Sequence, residues 1–213
     1  MTYNSRLKPI QAKLDCSPDG YLGDETLTAL EDHFQVMPNI DPPHPNDELP
    51  SNSTAAKIEV YGQPREGFPL AKCILPYSLR IDWDRDKSIS YLYCHEKVVQ
   101  RFQAMFEGWL EHFGEDGIRS HGLDLYGGCY NHRSVRGGNS WSDHAFGIAI
   151  DIDPGRNGLS TPWRRDRTNS TGWAKMPAEA IEIAEQCCLR NIAAKIRKDA
   201  MHFSAVDYGR IPS

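Results

Sequence analysis

Ser142-Asp143-His144-Ala145-Phe146-Gly147-Ile148-Ala149-Ile150-Asp151-Ile152-Asp153 is the stretch around which the chain is organised. Phe146, Ile148, Ile150 and Ile152 alternate with Gly147, Ala149, Asp151 and Asp153, the period of a strand with one apolar face and one narrow face that ends in acid. His144 stands just before the alternation, where a bend or bulge brings its imidazole back beside Asp151. Far downstream, Asp199-Ala200-Met201-His202-Phe203 supplies a second histidine and a carboxylate three residues before it.

Two histidines and one carboxylate fill three protein positions around zinc and leave the fourth to water. Zinc lowers the pKa of that water and makes it a nucleophile at neutral pH. Asp199 is then the remaining carboxylate, placed to take the proton. The same donors also suit an open iron site. Because the chain has eight histidines, spacing alone leaves a metal site and scattered structural residues both open.

The ordered motif Ser142-x-His144-x-x-Gly147-x-Ala149-x-Asp151, followed by Asp199-x-x-His202-Phe203, resembles the zinc D-Ala-D-Ala carboxypeptidase and L-Ala-D-Glu endopeptidase family, which includes VanY-type enzymes and several phage endolysins. The similarity extends upstream through Tyr126-Gly127-Gly128-Cys129-Tyr130-Asn131-His132-Arg133-Ser134-Val135-Arg136-Gly137-Gly138 to Tyr61-Gly62-Gln63-Pro64. The resemblance implies that His144, Asp151 and His202 bind Zn2+ and that Asp199 is the catalytic base. It also implies that Arg133, or else Arg136, grips a peptide carboxylate or steadies the oxyanion. Ser142 and Trp141 are expected to line the substrate cleft. Two departures stand out: Cys187 to Lys198 replaces a Trp- and Gly-rich stretch common in relatives, and Ser204 stands where relatives often carry an acid or amide.

Composition narrows the classes. A 213-residue chain with 39% hydrophobic residues can bury one sizeable core. A net charge of -5 with no long basic run argues against nucleic acid as a partner. No stretch approaches the roughly 18 apolar residues of a membrane span. The six cysteines include no CxxC pair, and Cys187-Cys188 in a helix-like setting reads as buried thiols rather than a disulfide. Met1 to Pro9 is polar and lacks the apolar core of a secretory signal. The expectation is a protein made in the cytoplasm without a signal peptide, acting on the cell wall after release or lysis, with no membrane insertion and no obligate protein partner.

Three regions are expected. Residues 1-35 read as a small helical unit: Leu7, Ile10 and Leu14 on one helical face, a turn in which Gly20 and Gly23 suit positive φ, and a second helix from Thr26 to Phe34. Asp19-Gly20-Tyr21-Leu22-Gly23-Asp24-Glu25-Thr26-Leu27 resembles small peptidoglycan-binding modules, while a plain packed hairpin is the other reading. Residues 36-54, with Pro38, Pro42, Pro43, Pro45 and Pro50, read as an extended linker. Residues 55-213 read as the zinc peptidase domain.

Within that domain, strands are expected at Ile89–Cys94 and Cys129–Arg133, with a charged surface turn over Asp82–Lys87. A core helix should run from Glu96 to Phe113, with Val98, Phe102, Met105, Phe106 and Trp109 on its apolar side. A last helix starting at Pro177 buries Ile181, Ala184, Cys188, Ile192 and Ile196 and delivers the chain to Asp199. The fold class is α+β: an antiparallel sheet carrying the zinc site, flanked by helices. The expected substrates are bacterial peptidoglycan stem peptides. L-Ala-D-Glu endopeptidase action in phage-type lysis is preferred, D-Ala carboxypeptidase action is the alternative, and a non-catalytic wall-binding or particle-structural protein is the third possibility. An iron oxygenase lacks supporting cofactor features.

Overall fold

The computed structural model describes residues 4–13, 15–26, 29, 48–65, 68 and 70–209. The chain divides into two units, Met1–Asp41 and Pro42–Ser213. In the first, helix α1 (Lys8–Lys13) buries Gln11. The Gln11 amide nitrogen donates to Asp19 Oδ1 at 2.8 Å and the Tyr21 carbonyl at 2.9 Å, and its oxygen accepts from the Gly20 N–H at 2.8 Å. A buried amide must satisfy these bonds internally, so this hub sets the turn. The expected apolar face is corrected: Ile10 is 46% exposed, because the polar hub occupies the inward side. Gly20 has φ 86°, whereas Gly23 does not adopt positive φ. Leu14, Leu27, Leu30 and Phe34 lie outside the described residues, as does most of the Pro-rich stretch.

The second unit opens on helix α2 (Thr54–Tyr61), whose Ser53 cap accepts a hydrogen bond from the Ala56 N–H. Ser51 already pairs with Asp207, so this end of the proline-rich segment is tied into the unit. A long hairpin follows, β1 (Ala71–Ile81) and β2 (Asp84–Cys94). The expected turn over Asp82–Lys87 is shorter than its charge suggested: cross-strand pairing already holds Ile81 to Asp84 and Arg80 to Ser88.

Helix α3 (Val99–His121) buries Phe102, Met105, Phe106, Trp109 and Ile118. It runs past Phe113 because Gly114, at φ 63°, kinks it and lets it resume. The stretch from Gly117 is therefore helical to His121, and strand β3 (Leu125–Gly128) follows. The remaining strands are β4 (Ala149–Ile152), β5 (Arg190–Asn191) and β6 (His202–Ser204). The sheet order is β2-β1-β3-β4-β6-β5.

The sheet is mixed rather than wholly antiparallel. β3 pairs parallel to β1 through Arg80 with Leu125 and Ile81 with Tyr126, because α3 carries the chain back across the sheet between β2 and β3. Cys129–Arg133 is not a strand; β3 ends one residue earlier, at Gly128. Short helix α4 (Pro154–Asn157) follows β4. Helix α5 (Ala178–Gln186), with Pro177 as its cap, stops where Cys188 takes φ 54°. The continuous helix expected toward Asp199 is thus broken into β5 and a short helix α6 (Ala193–Ile196), and Ile196 is 41% exposed.

The core behind the site is aromatic. Trp109 meets Phe203 edge-on at 5.3 Å and Phe106 at 5.4 Å, and its indole N–H donates to the Ala180 carbonyl at 2.9 Å. One side chain therefore joins α3, α5 and β6. Full burial of a residue such as Phe203 contributes about 1.5–3 kcal/mol. The six cysteines form no disulfide. Among the described residues, no helix is long and apolar enough to cross a membrane.

Candidate metal centre

The site is built where β4 meets β6. Asp151 lies directly opposite His202 in their antiparallel register, and opposed residues point to the same face. The other face of β4 is the anchor: Ile150 and Ile152 are fully buried, as is Ile148 just before the strand. On the β3 side, a Cβ at Gly127 would fall 3.1 Å from the Asp151 Cβ and 2.8 Å from the Pro154 ring. Only glycine fits there without displacing the Pro154 ring or crowding the Asp151 side chain.

His144 reaches Asp151 by a route that plain alternation does not describe. Asp143–Phe146 is a single 3-10 turn closed by Gly147 at φ 67°. A Cβ on Gly147 would lie 3.0 Å from the His95 backbone nitrogen, so steric space and dihedral both demand glycine. The turn carries the His144 Nε2 to 3.4 Å from Asp151 Oδ2, while its Nδ1 lies 2.6 Å from the Cys129 carbonyl oxygen. His202 Nδ1 lies 3.0 Å from Asp151 Oδ1. The two imidazoles stand 5.0 Å apart at 67°.

His144, Asp151 and His202 each offer a ligand atom, all within 4.8 Å of one another. A donor set of two nitrogens and one carboxylate oxygen fits zinc with an open position. The Cys129 carbonyl claims the Nδ1 proton of His144 and so leaves Nε2 free to bind a metal. Asp199, on the same cleft, adopts φ 65° and buries an Oδ1 atom that has no hydrogen-bond partner among the described residues. A buried carboxylate oxygen without a donor is costly unless something else occupies the space in front of it.

The charges reinforce one another. Burial alone would raise the Asp151 carboxyl, but hydrogen bonds and charge from His144 and His202 hold it below the usual carboxylate range. Burial opposes charging of His202, yet Asp143 and Asp151 outweigh it and push the imidazole up to about 10. Burial, with Asp151 adding to it, raises Asp199. That direction suits a group that must accept a proton.

The cleft over these residues has a volume of about 300 Å3 and is lined by Arg133, Arg136, Trp141 and Ser142 among others. Ser142 is buried and its N–H donates to the Arg133 carbonyl at 3.2 Å. Trp141 stacks on His132 at 4.8 Å. Arg133 is held at 3.2 Å to the Ser134 carbonyl. A larger hollow of about 610 Å3, bordered by Glu185, Arg190 and Lys195, lies elsewhere and contains none of the three clustered ligands.

Four groups around the cluster were not singled out in the sequence: Asp143, whose Oδ2 lies 3.5 Å from His202 Nε2, Lys57 and Tyr208, which both reach Asp143, and the Cys129 carbonyl on His144. Asp143 was legible as a neighbour of His144. Nothing in the spacing points to Lys57, 86 positions away from the carboxylate it meets.

Residues 136–205 match the family model for D-alanyl-D-alanine carboxypeptidase. The matched segment contains His144, Asp151, Asp199 and His202 and stops short of Lys57 and Arg133. It supports a peptidase domain of that family. No curated protein and no solved structure matches the chain.

Proposed function

We propose that the protein is a zinc-dependent peptidase of bacterial peptidoglycan, cutting stem peptides between L-Ala and D-Glu as a lysis enzyme. One observation carries the reading: His144 Nε2 and His202 Nδ1 converge on Asp151, and the unpartnered Asp199 oxygen is buried on the same cleft. The similarity of residues 136–205 to a carboxypeptidase family supports the substrate class.

His144, Asp151 and His202 would hold the zinc ion, which would supply Lewis-acid polarisation of the scissile carbonyl and activation of a water as nucleophile. Asp199 accepts the water's proton and returns it to the leaving amine. Arg133 or Arg136, both on the cleft wall, binds a stem-peptide carboxylate or the developing oxyanion. Trp141 and Ser142 shape the adjoining wall.

Cleavage within the stem is preferred because the first unit, followed by a proline-rich stretch, suits work on an insoluble polymer. If that unit binds wall, tethering raises the local concentration of the cleft without a new contact in it. Removal of terminal D-Ala is the second reading, and the description of the matched family favours it.

Mass spectrometry of purified wall digested with the full chain tests the bond. New amino-terminal D-Glu is expected; loss of one D-Ala without that end would transfer the assignment to the second reading. Elemental analysis should find about one zinc per chain, as for a single catalytic site. Unchanged zinc in His202→Ala would overturn the ligand set.

A further inference from the structure

The two histidines of the metal cluster are oriented differently. His144 gives its outer nitrogen to a neutral backbone carbonyl. His202 turns its Nε2 toward the carboxylate of Asp143, with 3.5 Å between Nε2 and Oδ2. Asp143 is itself gripped: Lys57 Nζ lies 2.7 Å from its Oδ1, and the Tyr208 hydroxyl donates to its Oδ2 at 3.0 Å. Ser204 Oγ meets the Tyr208 hydroxyl at 2.7 Å, and Lys57 also donates to Asn52 Oδ1 at 3.1 Å. Lys57 is 3% exposed, Asp143 8%, and Ser204 is fully buried.

Taking a lysine and an aspartate out of water is expensive, and their mutual attraction seldom returns more than it costs. Fold stability alone is therefore a weak reason for this pair. Its geometry supplies a better one. A metal-binding imidazole must be neutral and must present one lone pair, so its other nitrogen has to carry the proton toward an acceptor. A carboxylate in that place selects the tautomer, orients the ring and makes the ligand more basic. Asp143 could do none of this if it were free to rotate, and Lys57 from α2 and Tyr208 beyond β6 leave it little freedom.

We infer that Asp143, clamped by Lys57 and Tyr208, is the positioning residue that directs His202 Nδ1 toward the metal. Ser204 completes the clamp through Tyr208. The clamp joins α2, the 3-10 turn of His144 and the segment after β6, so metal affinity depends on helix α2, outside the segment that matches the family model. This inference rests on the zinc reading above.

The test uses the full chain. Zinc affinity is measured by chelator competition, the visible spectrum of the cobalt(II)-substituted protein reports ligand geometry, and thermal unfolding of the metal-free protein reports folding. Asp143→Ala leaves Lys57 buried and unpaired and endangers folding, so Lys57→Met/Asp143→Leu is tested beside it, removing both charges while keeping volume. A folded variant is expected to bind zinc about 10- to 100-fold more weakly, the usual loss when an outer partner of a metal-bound histidine is removed, with an altered cobalt spectrum. Asp143→Asn, which retains an acceptor oxygen, should recover part of that loss. Wild-type protein that binds one zinc while a folded double variant binds within about threefold of it, with the same cobalt spectrum, overturns the positioning role alone. Wild-type protein that binds no zinc overturns both the metal reading and this one.

Discussion

The outer hairpin and the inner strands of the sheet solve different problems. β1 and β2 run for 11 residues each, and they leave Ile74, Tyr91 and Tyr93 between 41% and 51% exposed. β4 and β6 have only four and three residues, yet Ile150 and Phe203 are fully buried. The candidate ligands Asp151 and His202 sit on the short strands. Ladder length supplies sheet, whereas burial, with Phe203 packed edge-on against Trp109, supplies the fixed backbone that a set of ligand atoms requires.

The largest effect expected from breaking the inner region is chemical. Asp199→Asn should retain zinc but lose about 10²- to 10⁴-fold in kcat, the range for a general base. Steady-state hydrolysis of a stem peptide, with zinc content measured on the same sample, decides it. Activity within about threefold of wild type, far below that range, would move the base elsewhere.

Next comes the packing beneath the site. Ile150→Ala should destabilise the fold by about 2–5 kcal/mol, the cost of an unfilled core cavity. Urea unfolding measures it. A loss below about 0.5 kcal/mol, the scale of surface substitutions, would show that short inner strands need no tight support.

His95 marks the joint between the regions, since its backbone N–H donates to the Gly147 carbonyl at 2.9 Å. Burial, the largest influence, holds its imidazole below the ordinary value of 6.5; the Tyr61 carbonyl and Glu96 oppose it, and Lys97 adds to it. The unfolded chain therefore binds the proton more readily, and the His95 contribution is complete above 6.5 and shrinks as the pH falls below it. Unfolding curves between about pH 7.5 and 5 should show wild type losing more stability on acidification than His95→Gln. Parallel profiles would remove His95 from the account.

The smallest effect is expected on the outer face. Tyr93→Ser should change stability by no more than about 0.5 kcal/mol and leave kcat/KM unaltered. A larger loss would mean that the long hairpin, too, carries the site.

Legibility followed the same division. The strand through Ile150 and the helix through Trp109 were visible because their periods are local and strong. The register that sets Asp151 opposite His202 was not, since pairing is chosen between segments distant in the chain. The end of α5 was missed because Cys188 adopts a left-handed backbone that its side chain does not announce. Likewise, the parallel pairing of β1 with β3 depends on how far α3 continues beyond Gly114.

The amino-acid sequence by itself determined the candidate residues, His144, Asp151 and His202 as ligands and Asp199 as base, with glycine at 147 where a left-handed turn needs it. Their chemistry resides in the side chains and their order is a motif. Only the tertiary structure decided which nitrogen of each histidine faces Asp151, and that Lys57 from α2 and Tyr208 from beyond β6 enclose Asp143. Orientation depends on hydrogen-bond partners that packing brings from remote segments, and short motifs carry no record of those encounters.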